Sequence, residues 1–358
     1  MVAKLLTTSI SAPGFYGLNT QDSVVSLESG YATVATNCVI DKFGRIGARK
    51  GWTPAHSTLG ALGSSAVESI AELIANDGTS YIVAAGNNKL FKLSGSTLSE
   101  LTYGGGGTAP TITANDWQMA ALNGVLYIYQ EGHDPLVFDP AVSSTTYRRV
   151  SEKSGYVGTV SNNNCVISAY GRTWSATNTT NKTTIQFSDL LAGHVLSTGT
   201  AGTLDLSQVW PAGADEIVAL AAHNGFLIVF GRRQILIYNN AQEPASMSLQ
   251  DAITGVGCFA RDSVVTTGSD VYFLSDSGVK SLMRTIQEKS APMRDISANV
   301  RDDLVAAMAL ESAVNIKAAH SDKEGFYLIT MPVTGVVYCF DLRMQLPNGA
   351  ARATTWDG

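Results

Sequence analysis

Residues 217–238, IVALAAHNGFLIVFGRRQILIY, hold three apolar runs separated by two turns. The first run closes on His223-Asn224-Gly225, the second extends from Phe226 to Phe230, and Gly231-Arg232-Arg233 divides it from the third, Ile235 to Tyr238. Runs of about five β-branched, aromatic and aliphatic residues broken by Asn-Gly and Gly-Arg read as antiparallel strands in a meander. The same order recurs as LIANDGTSYIVAAGNNKLFKL at 73–93, MAALNGVLYIYQEGHDPLVFD at 119–139, VVTTGSDVYFLSDSGVKSL at 264–282 and KAAHSDKEGFYLITMPVTGVVYCFD at 317–341. A weaker copy, CVISAYGRTWSATNTTNKTTIQF, occupies 165–187.

Taken as register marks, Gly78, Gly124, Gly171, Gly225, Gly268 and Gly325 lie 46, 47, 54, 43 and 57 residues apart. A period near 50 with three or four strands per unit is the pattern of a β-propeller. Its blades stack around an axis because one small sheet cannot bury both its faces alone. A β-sandwich with recurring turns is the other all-β solution, but it does not demand this repeated order of strand and turn. The expectation is an all-β chain with a propeller of about six blades over 61–358. An N-terminal extended arm and closing hairpin fill 1–60, and insertions fall at 188–215 and 295–315.

Composition narrows the function classes. The apolar fraction is 45% and the charged fraction 15%, which excludes a disordered tail, and 34 glycines suit many tight turns. A net charge of −6 argues against a protein that grips nucleic acid, since phosphates need clustered Lys and Arg. An acidic wall past which DNA slides is compatible with it. The four cysteines, at 38, 165, 258 and 339, form neither a disulfide framework nor a zinc spacing and are expected as buried thiols in strands. The N-terminus has no continuous apolar export segment, and no apolar run reaches the roughly 18 residues of a membrane span. The chain is expected to be soluble and made in a reducing cytoplasm, so its two Asn-x-Thr sequons, at Asn178 and Asn181, are expected to be plain loop residues.

Four stretches depart from the blade pattern. Gly104–Gly107 lacks the Gly-Lys-Ser/Thr ending of a phosphate cradle and is expected to be flexible punctuation. Residues 140–162 form a polar connector whose Arg148-Arg149 is expected to be solvated. Residues 188–215, rich in Gly, Thr and Ser, have the length of a functional or contact loop. Over 295–315, Ile296, Val300, Leu304, Ala307, Met308 and Ser312 recur at helical spacing behind Ser297 as a candidate N-cap. One amphipathic helix is expected there, either packed over a blade edge or serving as a subunit contact.

No residue pattern points to an active site. The histidines at 56, 133, 194, 223 and 320 have no metal-binding spacing, Asp302-Asp303 falls on the expected helix, and no GxSxG elbow is present. Ser275-Asp276-Ser277-Gly278 is hairpin turn chemistry. No catalytic, cofactor-binding or metal-ligating residue is assigned, and the chain is expected not to be an enzyme.

The arm carries the most specific pattern. Asn37, Asp41, Gly44, Arg45, Ile46, Arg49 and Gly51 spell N-x-x-x-D-x-x-G-R-I-x-x-R-x-G, with 41–44 as a turn and 45–49 as the strand leaving it. With Gly17 and Asn19 upstream, the blade repeats downstream, and Gly257–Val265 and Val271–Val279 after them, this resembles the tail nozzle proteins of short-tailed bacteriophages, also called tail tubular protein B. The resemblance is spread over most of the chain, but it consists of turn and strand residues. The larger members carry platform and fin domains, which the 358 residues given are expected to be too few to hold. The resemblance implies a virion protein assembled in the host cytoplasm: a homo-hexameric ring below the tail adaptor ring, contacting tail fibres or other tail subunits. Its lumen would pass double-stranded DNA without reading its sequence, with no cofactor. The alternative class is a carbohydrate-handling propeller, a lectin or a glycosidase, since propeller ends host unrelated functions. Tyr103, Trp117, Trp174 and Trp210 do not share a blade position, which weighs against a lectin repeat.

Overall fold

The computed structural model describes residues 14–41, 43–57, 60–112, 117–288 and 295–357. The chain is a six-bladed β-propeller. Blade 1 is Ser69–Ile74, Ser80–Gly86, Lys89–Ser94 and Thr97–Glu100. Blade 2 is Gln118–Leu122, Val125–Tyr129, Leu136–Phe138 and Thr146–Arg149, with Thr102–Tyr103 added in parallel at its outer edge. Blade 3 is Cys165–Ala169, Arg172–Ala176, Thr184–Phe187 and Gly202–Asp205, and blade 4 is Ile217–His223, Phe226–Gly231, Gln234–Asn239 and Ser248–Thr254. Blade 5 has three strands, Val265–Thr266, Val271–Ser275 and Gly278–Ser281; blade 6 is Ala318–Ser321, Phe326–Met331, Val336–Gln345 and Ala351–Trp356.

Each of the six register glycines lies between the first and second strand of its own blade. At three of these turns both central residues have positive φ: Asn123 and Gly124 (49° and 72°), Tyr170 and Gly171 (53° and 72°), Asn224 and Gly225 (49° and 85°). Such turns match the right-handed twist of the strands they join, and Asn-Gly enters them at little cost. The first strands of blades 1 to 6 therefore line the axis in chain order.

Five inter-blade spaces are filled. Leu73, Leu90, Trp117, Leu126 and Phe138 pack between blades 1 and 2. Tyr127, Tyr129 and Val166 join blades 2 and 3, and Trp174, Ile185, Leu220 and Leu236 join blades 3 and 4. Phe230, Ile235 and Phe273 join blades 4 and 5, and Leu274, Val279, Tyr327 and Phe340 join blades 5 and 6. Among the described residues no buried cluster spans blade 6 and blade 1. Instead a groove of about 500 Å³ separates Val67 and Ile70 of the blade 1 side from Leu328, Val337 and Trp356 of blade 6. The face of blade 1 turned away from blade 2 is left open, with Ile70 66% and Ile74 62% exposed.

Several expectations change. The helical stretch is shorter than 295–315: α2 spans only Arg301–Met308, flanked by 3-10 turns, and Leu304, Ala307 and Met308 bury into the core between blades 5 and 6. Ser297 does not cap it; its hydroxyl accepts the Val279 N–H at 3.0 Å instead. Another short helix, α1 (Leu282–Glu288), continues directly from blade 5 and packs on its last two strands. The 188–215 stretch is not all loop, because Gly202–Asp205 is the outer strand of blade 3. Arg149 is not solvated: it bonds Asp134, Tyr103, Glu152 and the Thr108 carbonyl. Nor is the four-glycine loop loose. Gly104 N–H bonds the Tyr147 carbonyl, and a Cβ on Gly105 would sit 2.2 Å from the Glu152 carboxylate. All four cysteines are buried free thiols, but Cys258 lies outside any strand. No helix of the described residues is long and apolar enough to cross a membrane.

Candidate functional site

The arm motif folds into a clasp on the last strand of the chain. Cys38–Ile40 and Ile46–Ala48 form the hairpin. Its turn is held by Asp41, whose Oδ1 accepts the backbone N–H of Phe43 at 2.8 Å and of Arg45 at 2.9 Å, while Oδ2 meets Arg45 Nε at 2.7 Å. The Arg45 N–H and then the Arg45 side chain hold the Asp41 carboxyl below its usual pKa. Gly44 closes the turn at φ 78° and takes the Phe15 N–H on its carbonyl, fixing the arm at Phe15.

Asn37 and Arg49 reach the other end of the chain. Asn37, at φ 55°, donates its backbone N–H to Thr355 O at 2.7 Å; its side chain bonds Asp357 through both amide atoms. Arg49 donates to Asp357 O at 2.9 Å and lies between Trp52 and Trp356, at 4.9 and 5.5 Å from their ring centroids. Trp356 Nε1 donates to Cys38 O at 3.1 Å. The structure thus brings Asn37 and Arg49 together at Asp357, places Asp41, Gly44 and Arg45 in the adjoining turn, and leaves Gly51 exposed with open space around it. The clasp seals the free edge of blade 6, where unpaired backbone would otherwise be a template for another chain.

At the end of the axis where the first strands begin, charges fill the centre. Asp262 accepts two bonds from Arg261, at 2.7 and 2.8 Å, and one from Lys317. Arg261 also donates to the carbonyls of Asn164 and Trp117. Burial alone would push the Asp262 carboxyl up, but Arg261 and Lys317 hold it below the usual carboxylate range. Beside them Glu68 is raised by burial, with Lys317 opposing. Blades 1, 2, 3, 5 and 6 all contribute to this network, which is chemically a tie across the axis. Sequence reading missed it because Glu68, the Arg261-Asp262 pair and Lys317 stand at the starts of three different blades.

At the opposite end, where first and second strands join, a concavity of about 400 Å³ opens between blades 1, 2 and 3. Its wall includes Asn76 and Tyr81 of blade 1, Asn123, Tyr127, Asp139 and Lys153 around blade 2, and His194 from the 188–215 stretch. Lys153 pairs with Asp139, and Tyr127 Oη lies 3.2 Å from His194 Nδ1. Burial first, and Lys153 second, lower the His194 pKa against the pull of Asp139. Among the described residues no group of three or more His, Cys, Asp or Glu is placed to hold a metal ion.

No protein-family model matches the chain, and no curated protein matches it. Solved structures resemble it in fold. PorZ, a surface component of the type-IX secretion system of Porphyromonas gingivalis, is 13% identical with a TM-score of 0.43, covering 83% of this chain and 33% of PorZ. The chain therefore spans about a third of that structure's length. The extracellular domain of a hybrid two-component system from B. thetaiotaomicron is 10% identical, TM-score 0.43, covering 90% of this chain and 45% of that one. The computationally designed Ika8 is 13% identical, TM-score 0.42, covering 78% and 80%. At such identities the likeness concerns the fold alone.

Proposed function

We propose that the chain is a structural subunit of the distal tail nozzle of a short-tailed bacteriophage, one of six copies walling a channel for the exiting genome. The observation that carries this reading is the clasp. The residues on which the nozzle resemblance rests, from Asn37 to Arg49, form one connected device that welds the arm to the propeller through Asp357 and Trp356. A wall subunit needs such a device, because an extended arm can bear load between neighbours only if its root is fixed. The axis of a single propeller is tied across by Asp262, Arg261 and Lys317, so a duplex-wide channel has to lie between copies. A net charge of −6 suits a wall past which a polyanion moves without sticking. Electron microscopy of phage particles with antibody against this chain tests the reading. Label confined to the distal end of a short tail is expected; label on lateral fibres, or on no particle, overturns it.

A further inference from the structure

The concavity between blades 1, 2 and 3 has the make-up of a ligand site, and the tail role gives it nothing to do. Its volume, about 400 Å³, lies within the roughly 300–1,000 Å³ of small-molecule sites. Its walls come from three blades and meet at glycines. A Cβ on Gly193 would stand 2.6 Å from the Tyr127 ring, and one on Gly124 would stand 2.6 Å from Asn76 Oδ1. The closure is further held by the Asn123 amide, which donates to Leu191 O at 3.3 Å.

The lining decides the ligand class. Asp139 and Lys153 are 14% and 15% exposed and bound to each other, so an ion pair largely withdrawn from water lines the pocket. A purely apolar guest would cover that pair without replacing its remaining hydrogen bonds, which is costly. An anionic guest would have to compete with Asp139 for the only ammonium in the lining, beside an imidazole held neutral at neutral pH. A metal ion finds no group of three ligands here among the described residues. A neutral molecule carrying several hydroxyls meets none of these objections. Hydroxyls both donate to carboxylate and accept from ammonium and amide, and a ring of CH groups packs on a tyrosine face.

We propose that this pocket binds a neutral saccharide, with Asp139, Lys153 and Asn123 bonding its hydroxyls and Tyr81 covering its apolar face. The inference is independent of the nozzle reading and claims binding, not hydrolysis. Saturation-transfer NMR on the whole chain tests it. The probes are glucose, galactose, mannose, rhamnose, N-acetylglucosamine, lactose and maltose, with sialic acid as the anionic control. The His194 imidazole resonances, assigned with His194→Gln, are followed in the same samples. At least one neutral sugar is expected to receive saturation and shift His194. Its Kd should rise at least about tenfold in Tyr81→Ala and in Asn123→Gly, the loss of one good contact. Tyr81→Ala opens a wall, whereas Asn123→Gly at the exposed rim keeps the positive φ that its turn requires and removes the side-chain amide. The proposal falls if no neutral sugar moves His194, if only sialic acid does, or if both variants bind as the parent does.

Discussion

Truncating Trp356 to alanine probes the clasp most directly. The indole is 8% exposed, stands edge-on to Phe326 with centroids 6.1 Å apart, and gives its N–H to Cys38 O. Removing a buried tryptophan costs about 3–5 kcal/mol, and stranding the Cys38 carbonyl contributes about 1 kcal/mol of that. Trp356 belongs to the small cluster with Phe326 and Cys339 rather than to one of the five inter-blade cores. The loss should therefore appear as local opening of the arm, not as global unfolding. The amides of Asn37, Arg49 and Thr355, bonded to Thr355 O, Asn37 O and Ala35 O, report that opening. With 1.4 kcal/mol per factor of ten, native-state hydrogen exchange over 35–49 should quicken by about two orders of magnitude or more. The blade 4 strand Phe226–Gly231 should exchange as before. Equal acceleration in both segments would show that the clasp is not a separable unit. Unchanged exchange over 35–49 would show that Trp356 does not hold the arm. Either result refutes the reasoning.

Two further outcomes can be checked. Lys280 and Asp295, 3% and 4% exposed and 2.6 Å apart, form a buried pair joining blade 5 to the approach to α2. Lys280→Met alone should cost about 3–5 kcal/mol in urea unfolding, whereas Lys280→Met with Asp295→Leu should recover most of it; a single variant within about 1 kcal/mol of the parent would sink the idea. His194 is one pH-sensitive group. Its folded pKa is depressed by burial and Lys153, so the unfolded chain takes up the proton first as pH falls through about 6.5, and stability declines from there toward the lower folded value. The Tm between about pH 8 and 5 should fall more steeply for the parent than for His194→Gln, and matching slopes would contradict the assignment.

The blades were legible because their turns obey a backbone rule. Asn123-Gly124 and Asn224-Gly225 need positive φ at both positions, and few residue pairs supply it, so the period shows through in a single sequence. Val125–Tyr129 is readable to the residue because its apolar run starts abruptly at such a turn. Weaker local signals failed. Gly202–Asp205 becomes a strand through pairing with Thr184–Phe187, not through its own propensity, and α1 has too few residues to display a helical period. The arm motif announced itself, but its partners Trp356 and Asp357 lie some 300 residues away. The saccharide pocket was invisible for the same reason: Tyr81, Asn123, Lys153 and His194 meet only after three blades have stacked.

The groove that the described residues leave between blades 6 and 1 changes how the ring behaves as a cooperative object. In a closed circle every unit has two neighbours, so removing any one breaks two interfaces; in a row, an end unit breaks only one. Among the described residues there are five apolar cores between blades and none between blades 6 and 1, so the six blades form a row bent until its ends meet. The two ends differ. Blade 6 is capped by the arm through Thr355 and Asp357, while blade 1 shows Ile70 and Ile74 to water. Fraying should start at blade 1 and run toward blade 4, so the N-terminal repeats set the rate at which the molecule comes apart while the C-terminal ones persist.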